Sequence, residues 1–239
     1  MPNHVSSLYV DLVHRVGPCR DASFSLPDSG QALQLVQPVD FDALLEAAAG
    51  DPEQNLPYWA EIWPSGIALA DELVAQPDMV RGQRVLEIGS GIGVTASVAL
   101  MVGAELTVAD YSPESLLLCR YNALVNSGRE PETLQINWRD PSDELRTLAG
   151  SGFPVVLAAD VLYESRDVEP LLDLVEWLVA PEGLLWLAEP GRNIAERFIE
   201  QATERGWRDT LSFHAGPWPD PRDTNVAVTV HQLRRGEVE

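Results

Sequence analysis

The sequence predicts an α/β fold: a Rossmann-like, doubly wound seven-stranded sheet, mostly parallel with one antiparallel strand, with helices on both faces. Three observations carry this expectation. From Leu56 onward, short apolar runs alternate with segments of helical period, the pattern of strands joined by crossover helices. The run Val85-Leu-Glu-Ile-Gly-Ser-Gly-Ile-Gly93 sets a glycine turn between a strand and a helix. Acids, Asp110 and Asp160, stand where strands end, at the edge where such sheets bind ligands.

The elements follow in order. Residues 1–55 are less regular and read as an N-terminal extension packed on a main domain of residues 56–239. Within the extension, Leu33–Val39 has the composition of a strand. Asp40–Ala49 reads as a short helix with Asp40 at its start, closed by Gly50-Asp51-Pro52. Gly66–Ala75 spaces its apolar residues as a helix does, and Gln83–Ile88 is a short apolar strand. After the glycine turn, Val94–Val102 is a helix of small residues, and Leu106–Ala109 is the next strand. Ser112-Pro113-Glu114 is a strong helix start, with Pro in the first turn, and that helix runs to about Asn126. Thr133–Asn137 and Pro154–Ala159 are the third and fourth strands. A helix over Asp167–Val179 is closed by Pro181-Glu-Gly183, and Leu184–Ala188 is the fifth strand. A helix over Asn193–Arg205 precedes two late strands near Thr210–His214 and Asn225–Leu233. The long Pro/Asp-rich connection between them allows the last strand to return antiparallel.

Composition bounds the function. The chain has 239 residues, 45% hydrophobic and 22% charged, the mix of one globular domain with a modest extension. No apolar run approaches the roughly 18–20 residues that cross a bilayer, and the start lacks the pattern of a secretory signal. The expected partners therefore exclude a membrane, and the expected location is the cytoplasm. The net charge of −21 repels phosphate backbones and excludes nucleic acid as a first choice of substrate, while favouring cationic partners. All 16 basic residues are arginines, which we attribute to base composition. Two cysteines and four scattered histidines supply neither a disulfide framework nor a metal site.

The motifs point to a nucleoside-like cationic ligand. A dinucleotide fingerprint would place a pyrophosphate on the helix N-terminus. Here the order is E-x-G-x-G-x-G, and a carboxylate at Glu87 suits a cationic amino group instead. S-adenosyl-L-methionine, with a sulfonium, an ammonium and a ribose, fits that chemistry. Its expected holders are Glu87, Gly89, Ser90, Gly91 and Gly93 on the turn, and Asp110 and Tyr111 after the second strand. Asp110 would accept hydrogen bonds from ribose hydroxyls; it could equally cap the following helix. Trp138, after the third strand, could lie over an adenine ring or pack in the core. After the fourth strand, Ala159 would border the cofactor. Asp160 and Tyr163 form a D-x-x-Y that could orient an amine, or be a helix cap and a packed tyrosine. Tyr58, Trp59 and Trp63 in Pro57–Gly66 form a stiff aromatic platform that either walls a channel or packs the extension. Arg192, in Glu189-Pro-Gly-Arg192, sits where it could hold a carboxylate of a substrate, or belong to a plain loop. Trp177, Trp186, Trp207 and Trp218 read as packing residues.

Four segments, YWAEIWPSGIALADEL, VLEIGSGIGVTASVAL, the Trp138 strand end and AADVLYE, together resemble the seven-β-strand protein-lysine methyltransferases of methyltransferase family 16. The resemblance spans about residues 55–192. Within that family, the PYWA opening and the Pro-Gly-Arg after the fifth strand look most like the methyltransferases of the electron-transfer flavoprotein β-subunit, with a departure at Glu189, where those have Asp. The resemblance implies that Glu87, Gly89, Gly91, Asp110, Trp138 and Trp63 serve the cofactor and that Asp160 and Tyr163 stand at the site of methyl transfer. It implies a lysine side chain of a protein as acceptor. Methylation of a small nicotinamide-like amine, or a cofactor-binding module without chemistry, are the alternatives. Nucleic-acid methylation is disfavoured, because no Asn-Pro-Pro-Tyr type loop follows the fourth strand.

Overall fold

The computed structural model describes residues 2–51, 53 and 55–236. Met1, Gln54, the last three residues and Pro52, expected to close the short helix, lie outside them.

The N-terminal segment is more regular than its sequence announced. It opens with helix α1 (Pro2–Val16), continues through the short strands β1 (Cys19–Asp21), β2 (Phe24–Ser25), β3 (Ala32–Leu33) and β4 (Val36–Pro38), and ends in helix α2 (Phe41–Ala48). Asp40 caps α2 as expected, accepting from the Ala43 amide at 2.9 Å. The single strand expected over 33–39 is interrupted. The backbone of Gln34 turns aside to exchange two hydrogen bonds with the Asn126 side chain, so β3 pairs with β2 and β4 with β1. The segment is stitched to the rest by buried polar groups: Asn122 bonds both backbone groups of Val36, and Asp71 accepts from the amides of Asp28 and Ser29.

The remaining elements are α3 (Pro64–Ala75), β5 (Arg84–Ile88), α4 (Val94–Met101), β6 (Glu105–Asp110), α5 (Pro113–Ser127), β7 (Glu132–Gln135), α6 (Asp143–Ala149), β8 (Phe153–Ala159), α7 (Val168–Leu178), β9 (Val179–Glu189), α8 (Asn193–Glu204), β10 (Trp207–His214) and β11 (Val228–Arg235). Helix α6, capped by Ser142, was not foreseen. Strand β9 begins at Val179, five residues before the expected Leu184, because the Pro181-Glu-Gly183 stretch continues the strand as an irregularity beside β8.

Seven strands form one sheet in the order β10-β11-β9-β8-β5-β6-β7. Strand β11 runs antiparallel to both its neighbours, and the other pairs are parallel. Alternate residues feed two cores. Val85, Val155, Leu157 and Trp186 face the layer of α3, α4 and α5, which also takes Leu12 and Val16 of α1. Leu86, Val156, Leu185 and Leu187 face α6, α7 and α8. Helix α4 is buried along almost its whole length, which accounts for its small residues. Trp186, Trp207 and Trp218 are buried, and Trp177 packs against the second core. The chain leaves β5 toward β6 and β7 and then crosses back to β8. The carboxyl ends of β5 and β8 therefore flank the switch point where such sheets bind ligands. Among the described residues, no helix is long and apolar enough to cross a membrane, and no cluster of metal-ligating side chains occurs.

Candidate active site

A cavity of about 620 Å³ opens at that switch point, within the usual range for small-molecule sites. Its floor is the turn after β5. Gly89 has φ of +72°, and a Cβ there would lie 2.7 Å from Val161 Cγ1, so a side chain would push the turn off the β8 loop. The Gly91 amide donates to Asp110 Oδ2 at 3.2 Å, and the Ser112 amide to Asp110 Oδ1 at 3.0 Å. Asp110 thus braces the turn and stays at the cavity wall, while Ser112 caps α5 by accepting from the Ser115 amide.

Three residues expected on the cofactor stand behind the lining. A Cβ on Gly93 would lie 2.8 Å from Cys119 Cα, so Gly93 lets α4 close on α5. Ser90 is buried, with Oγ 3.5 Å from Asp110 Oδ2. Glu87 is buried within the central strand, and its Oε2 has no hydrogen-bond partner among the described residues. Burial first, and then the charge of Asp110, push the Glu87 carboxyl well above the usual range. Burial also raises Asp110, against the pull of its hydrogen bonds.

The wall beyond β7 carries Trp138. Its Nε1 donates to Asp167 Oδ1 at 3.0 Å, which ties the ring to the turn just before α7 and leaves it lining the cavity. Asp167 is fully buried and gripped by Arg139 through Nε at 2.6 Å and Nη2 at 3.0 Å. Arg139 also reaches Glu53 Oε2 at 3.0 Å, tying this wall to the segment that leads into the aromatic platform. This clamp was not foreseen. Arg139 adjoins Trp138, but its partners Asp167 and Glu53 lie 28 and 86 residues away.

The far end of the cavity is the loop after β8. Ala159 lines it, and Asp160 has φ of +58°, the one positive value outside glycine among the described residues. Such a conformation costs of order 1–3 kcal/mol, and Asp is among the few side chains that adopt it. Asp160 Oδ2 accepts from Ser65 Oγ at 3.3 Å, and Oδ1 forms an ion pair with Arg192. Arg192, a candidate either for a substrate carboxylate or for a plain loop, is closed on Asp160 in the structure. Burial pushes the Tyr163 hydroxyl far above its ordinary value, with Asp110, Asp167 and Glu164 adding to the rise, so it stays protonated. Tyr58 packs edge-on to Tyr163, with ring centroids 5.4 Å apart, and to Trp63 at 6.2 Å. Trp63 Nε1 donates to the Tyr58 carbonyl at 2.9 Å, and Trp59 lines the cavity near Gly91. Tyr111 lines it too, its hydroxyl 2.7 Å from Asp51 Oδ1 and raised in pKa by that bond.

The geometry meets an independent finding. A sequence model of the family described as lysine methyltransferase matches residues 54–205. The chain belongs to the lysine methyltransferase family. It is 26% identical over 181 residues to EEF1A lysine methyltransferase 3 of Mus musculus, covering 75% of this chain and 73% of that one. It is 34% identical over 144 residues to the electron transfer flavoprotein beta subunit lysine methyltransferase of Rattus norvegicus, covering 57% and 51%. It is 28% identical over 127 residues to the histone-arginine methyltransferase METTL23 of Mus musculus, covering 52% and 49%. The match thus spans about half the length of the latter two relatives. A putative RNA methyltransferase of Pyrococcus horikoshii has the same fold, with a TM-score of 0.56 at 16% identity over 82% of this chain and 98% of that one.

A member of this family takes its methyl group from S-adenosylmethionine, and the site fits that cofactor. Two buried carboxylates, Glu87 and Asp110, carry raised pKa values, and one oxygen of Glu87 has no partner among the described residues. Ligand hydroxyls can reach Asp110, which lines the cavity, whereas Glu87 stands behind the turn and would meet a ligand ammonium through charge alone. The glycine turn opens its backbone to the cavity, and Trp138 gives the wall an aromatic face.

Proposed function

We propose that the protein transfers a methyl group from S-adenosylmethionine to a lysine side chain of another protein, with residues 56–239 as the methyltransferase domain and 1–55 as its extension. The observation that carries this reading is Asp160, held at the cavity end in a strained backbone and walled by Tyr163, Tyr58 and Trp63. Family membership and the relatives that act on lysine support it.

When bound, the cofactor supplies an electrophilic methyl group on a sulfonium. Asp110 would accept from the ribose hydroxyls, Trp138 would stack on the adenine, and Glu87 would offset the amino-acid ammonium from beneath the turn. Asp160 would accept an N–H of the incoming amine and fix the direction of its lone pair. The aromatic walls exclude water, which lowers the amine pKa from its usual value near 10.4 and favours release of its proton to solvent. Tyr163 remains neutral and shapes the channel. Arg192 offsets the Asp160 charge, so a neutral amine meets a neutral pair rather than a bare carboxylate.

The same pair favours lysine over arginine. A guanidinium is best held by a carboxylate with both oxygens free for a bidentate contact. Both oxygens of Asp160 already have partners, Arg192 and Ser65, and a single-point amine contact is what remains. The net charge of −21 favours a basic acceptor surface. The test is incubation of the enzyme with S-adenosylmethionine bearing a deuterated methyl group and extract of its source organism, followed by peptide mass spectrometry. The chain has no lysine, so a deuterated methyl-lysine identifies another protein as acceptor. Label confined to small molecules or to arginine overturns the proposal.

A further inference from the structure

The loop that delivers Arg192 is held from behind by a chain of buried charges crossing three strands. Glu189, the last residue of β9, folds back so that Oε2 accepts from the amides of Gly191 at 2.6 Å and Arg192 at 3.0 Å. Its Oε1 faces Nε2 of His231 on β11 at 3.7 Å, an ion-pair distance. Nδ1 of His231 donates to Oδ2 of Asp209 on β10 at 2.6 Å. Glu189 and His231 lie in the body of the sheet, 7% and 6% exposed, and Asp209 is half-buried on the edge strand β10. On the other side of the loop, the Arg192 guanidinium meets Asp160. Charges therefore alternate along the path Asp209, His231, Glu189, Arg192, Asp160.

We infer that His231 and Glu189, anchored by Asp209, are positioning residues that set the Pro190-Gly191-Arg192 turn so that Arg192 holds Asp160 for the acceptor nitrogen. Burial pulls the His231 imidazole down, but Asp209 and Glu189 push it up by more, to about 9, so it is a cation at neutral pH and stabilises both acids. Stability alone does not account for such a cluster, because apolar replacement of a buried ion pair is often neutral or stabilising. Geometry does. With Glu189 fixed, the two amides that define the turn are satisfied and the N-terminus of α8 starts at one angle. Without it, Arg192 loses its fixed origin while keeping its charge. The inference rests on the reading that Asp160 faces the acceptor.

The test is a double-mutant cycle read by methyl transfer into protein of the source organism's extract, with affinity for S-adenosylhomocysteine measured beside it. His231→Gln lowers transfer about tenfold, since misplacement by about an ångström costs up to about a hundredfold, and leaves the affinity within about twofold. In an Arg192→Ala background the same substitution changes transfer by less than about twofold, because the group it positions is gone. An equal loss in both backgrounds, or no loss in the wild type, overturns the inference. Circular dichroism establishes folding of each variant; where His231→Gln does not fold, Asp209→Asn at the far end of the chain runs the same cycle. Asp160→Asn separates the two levels. Unchanged transfer in that variant overturns the reading of the site itself, whereas loss in Asp160→Asn with additive effects of His231→Gln overturns only the positioning chain.

Discussion

Asp110→Asn separates a ligand-binding carboxylate from a merely structural one. In the wild type each oxygen accepts one backbone amide, from Ser112 at 3.0 Å and from Gly91 at 3.2 Å, and the group still lines the cavity. Asparagine keeps the shape but offers one acceptor oxygen, so one of these amides loses its partner at a cost of about 1–3 kcal/mol. Opposing that, the carboxyl pKa is raised by burial, so the charge itself is unfavourable in the free protein and its removal is a gain. The two effects oppose each other, and the melting temperature moves by about 2–4 °C for each kcal/mol left over. Binding has no such compensation. Hydrogen bonds from ribose hydroxyls to a carboxylate are worth about 1.5–3 kcal/mol, so the affinity for S-adenosylmethionine falls about ten- to a hundredfold. Titration calorimetry beside a thermal melt reads both. An affinity within about twofold of wild type, or a loss of affinity matched by a large drop in melting temperature, refutes the ribose assignment.

Other substitutions test the remaining parts. Asp160→Asn cuts methyl transfer by about a hundredfold while the cofactor dissociation constant stays within about twofold, as measured by initial rates and calorimetry. Trp138→Ala removes a stacking face worth about 1–3 kcal/mol and weakens cofactor binding accordingly, by roughly five- to a hundredfold. Gly93→Ala lowers stability by about 2–4 kcal/mol, combining a left-handed backbone with the close approach to Cys119, and shows as a loss in denaturant midpoint. A pH-dependent tie joins β10 to α3, where His214 lies between Glu72 and Asp28. The Glu72 hydrogen bond chiefly raises the pKa of His214, against burial, and Glu72 is lowered to about 2, chiefly by His214. The His214 contribution is fully present below its unfolded pKa near 6.5 and lost as pH rises through the raised folded value; that of Glu72 is present above its unfolded pKa and lost as pH falls toward about 2. His214→Gln therefore lowers the melting temperature by a few degrees near pH 5.5 and by less near pH 9, the working range set by these directions.

Much of the fold was readable because the main domain obeys local rules at each element. Ser112-Pro113 starts α5, and β5, β6 and β8 are short, mainly apolar runs that end at a glycine or an acid. The elements that local sequence does not announce differ in kind. Helix α1 carries Leu8, Leu12 and Val16 at helical spacing, a signal present in the sequence but set among polar residues with no acid in the first turn. Helix α6 is a short turn whose only announcement is Ser142 before two acids. The break between β3 and β4 was not locally readable, because its cause is Asn126, ninety-two residues away. The same distinction governs the site. Glycines, Asp110, Trp138 and Asp160 follow strands and could be named from position. The Arg139 clamp on Asp167 and the closure of Arg192 on Asp160 join residues with no sequence relation, and only the folded chain brings them together. Glu87, Ser90 and Gly93 were named from the motif, which marks the turn but does not distinguish residues that face a ligand from those that build the turn beneath it.

The assignment of the cavity is most directly tested by a crystal structure with S-adenosylhomocysteine. The account predicts ribose hydroxyls on Asp110, the adenine against Trp138, the amino group over the glycine turn toward Glu87, and the sulfur directed at the gap between Asp160 and Tyr163. A nucleoside placed outside this cavity, or bound with its sulfur turned away from Asp160, contradicts it.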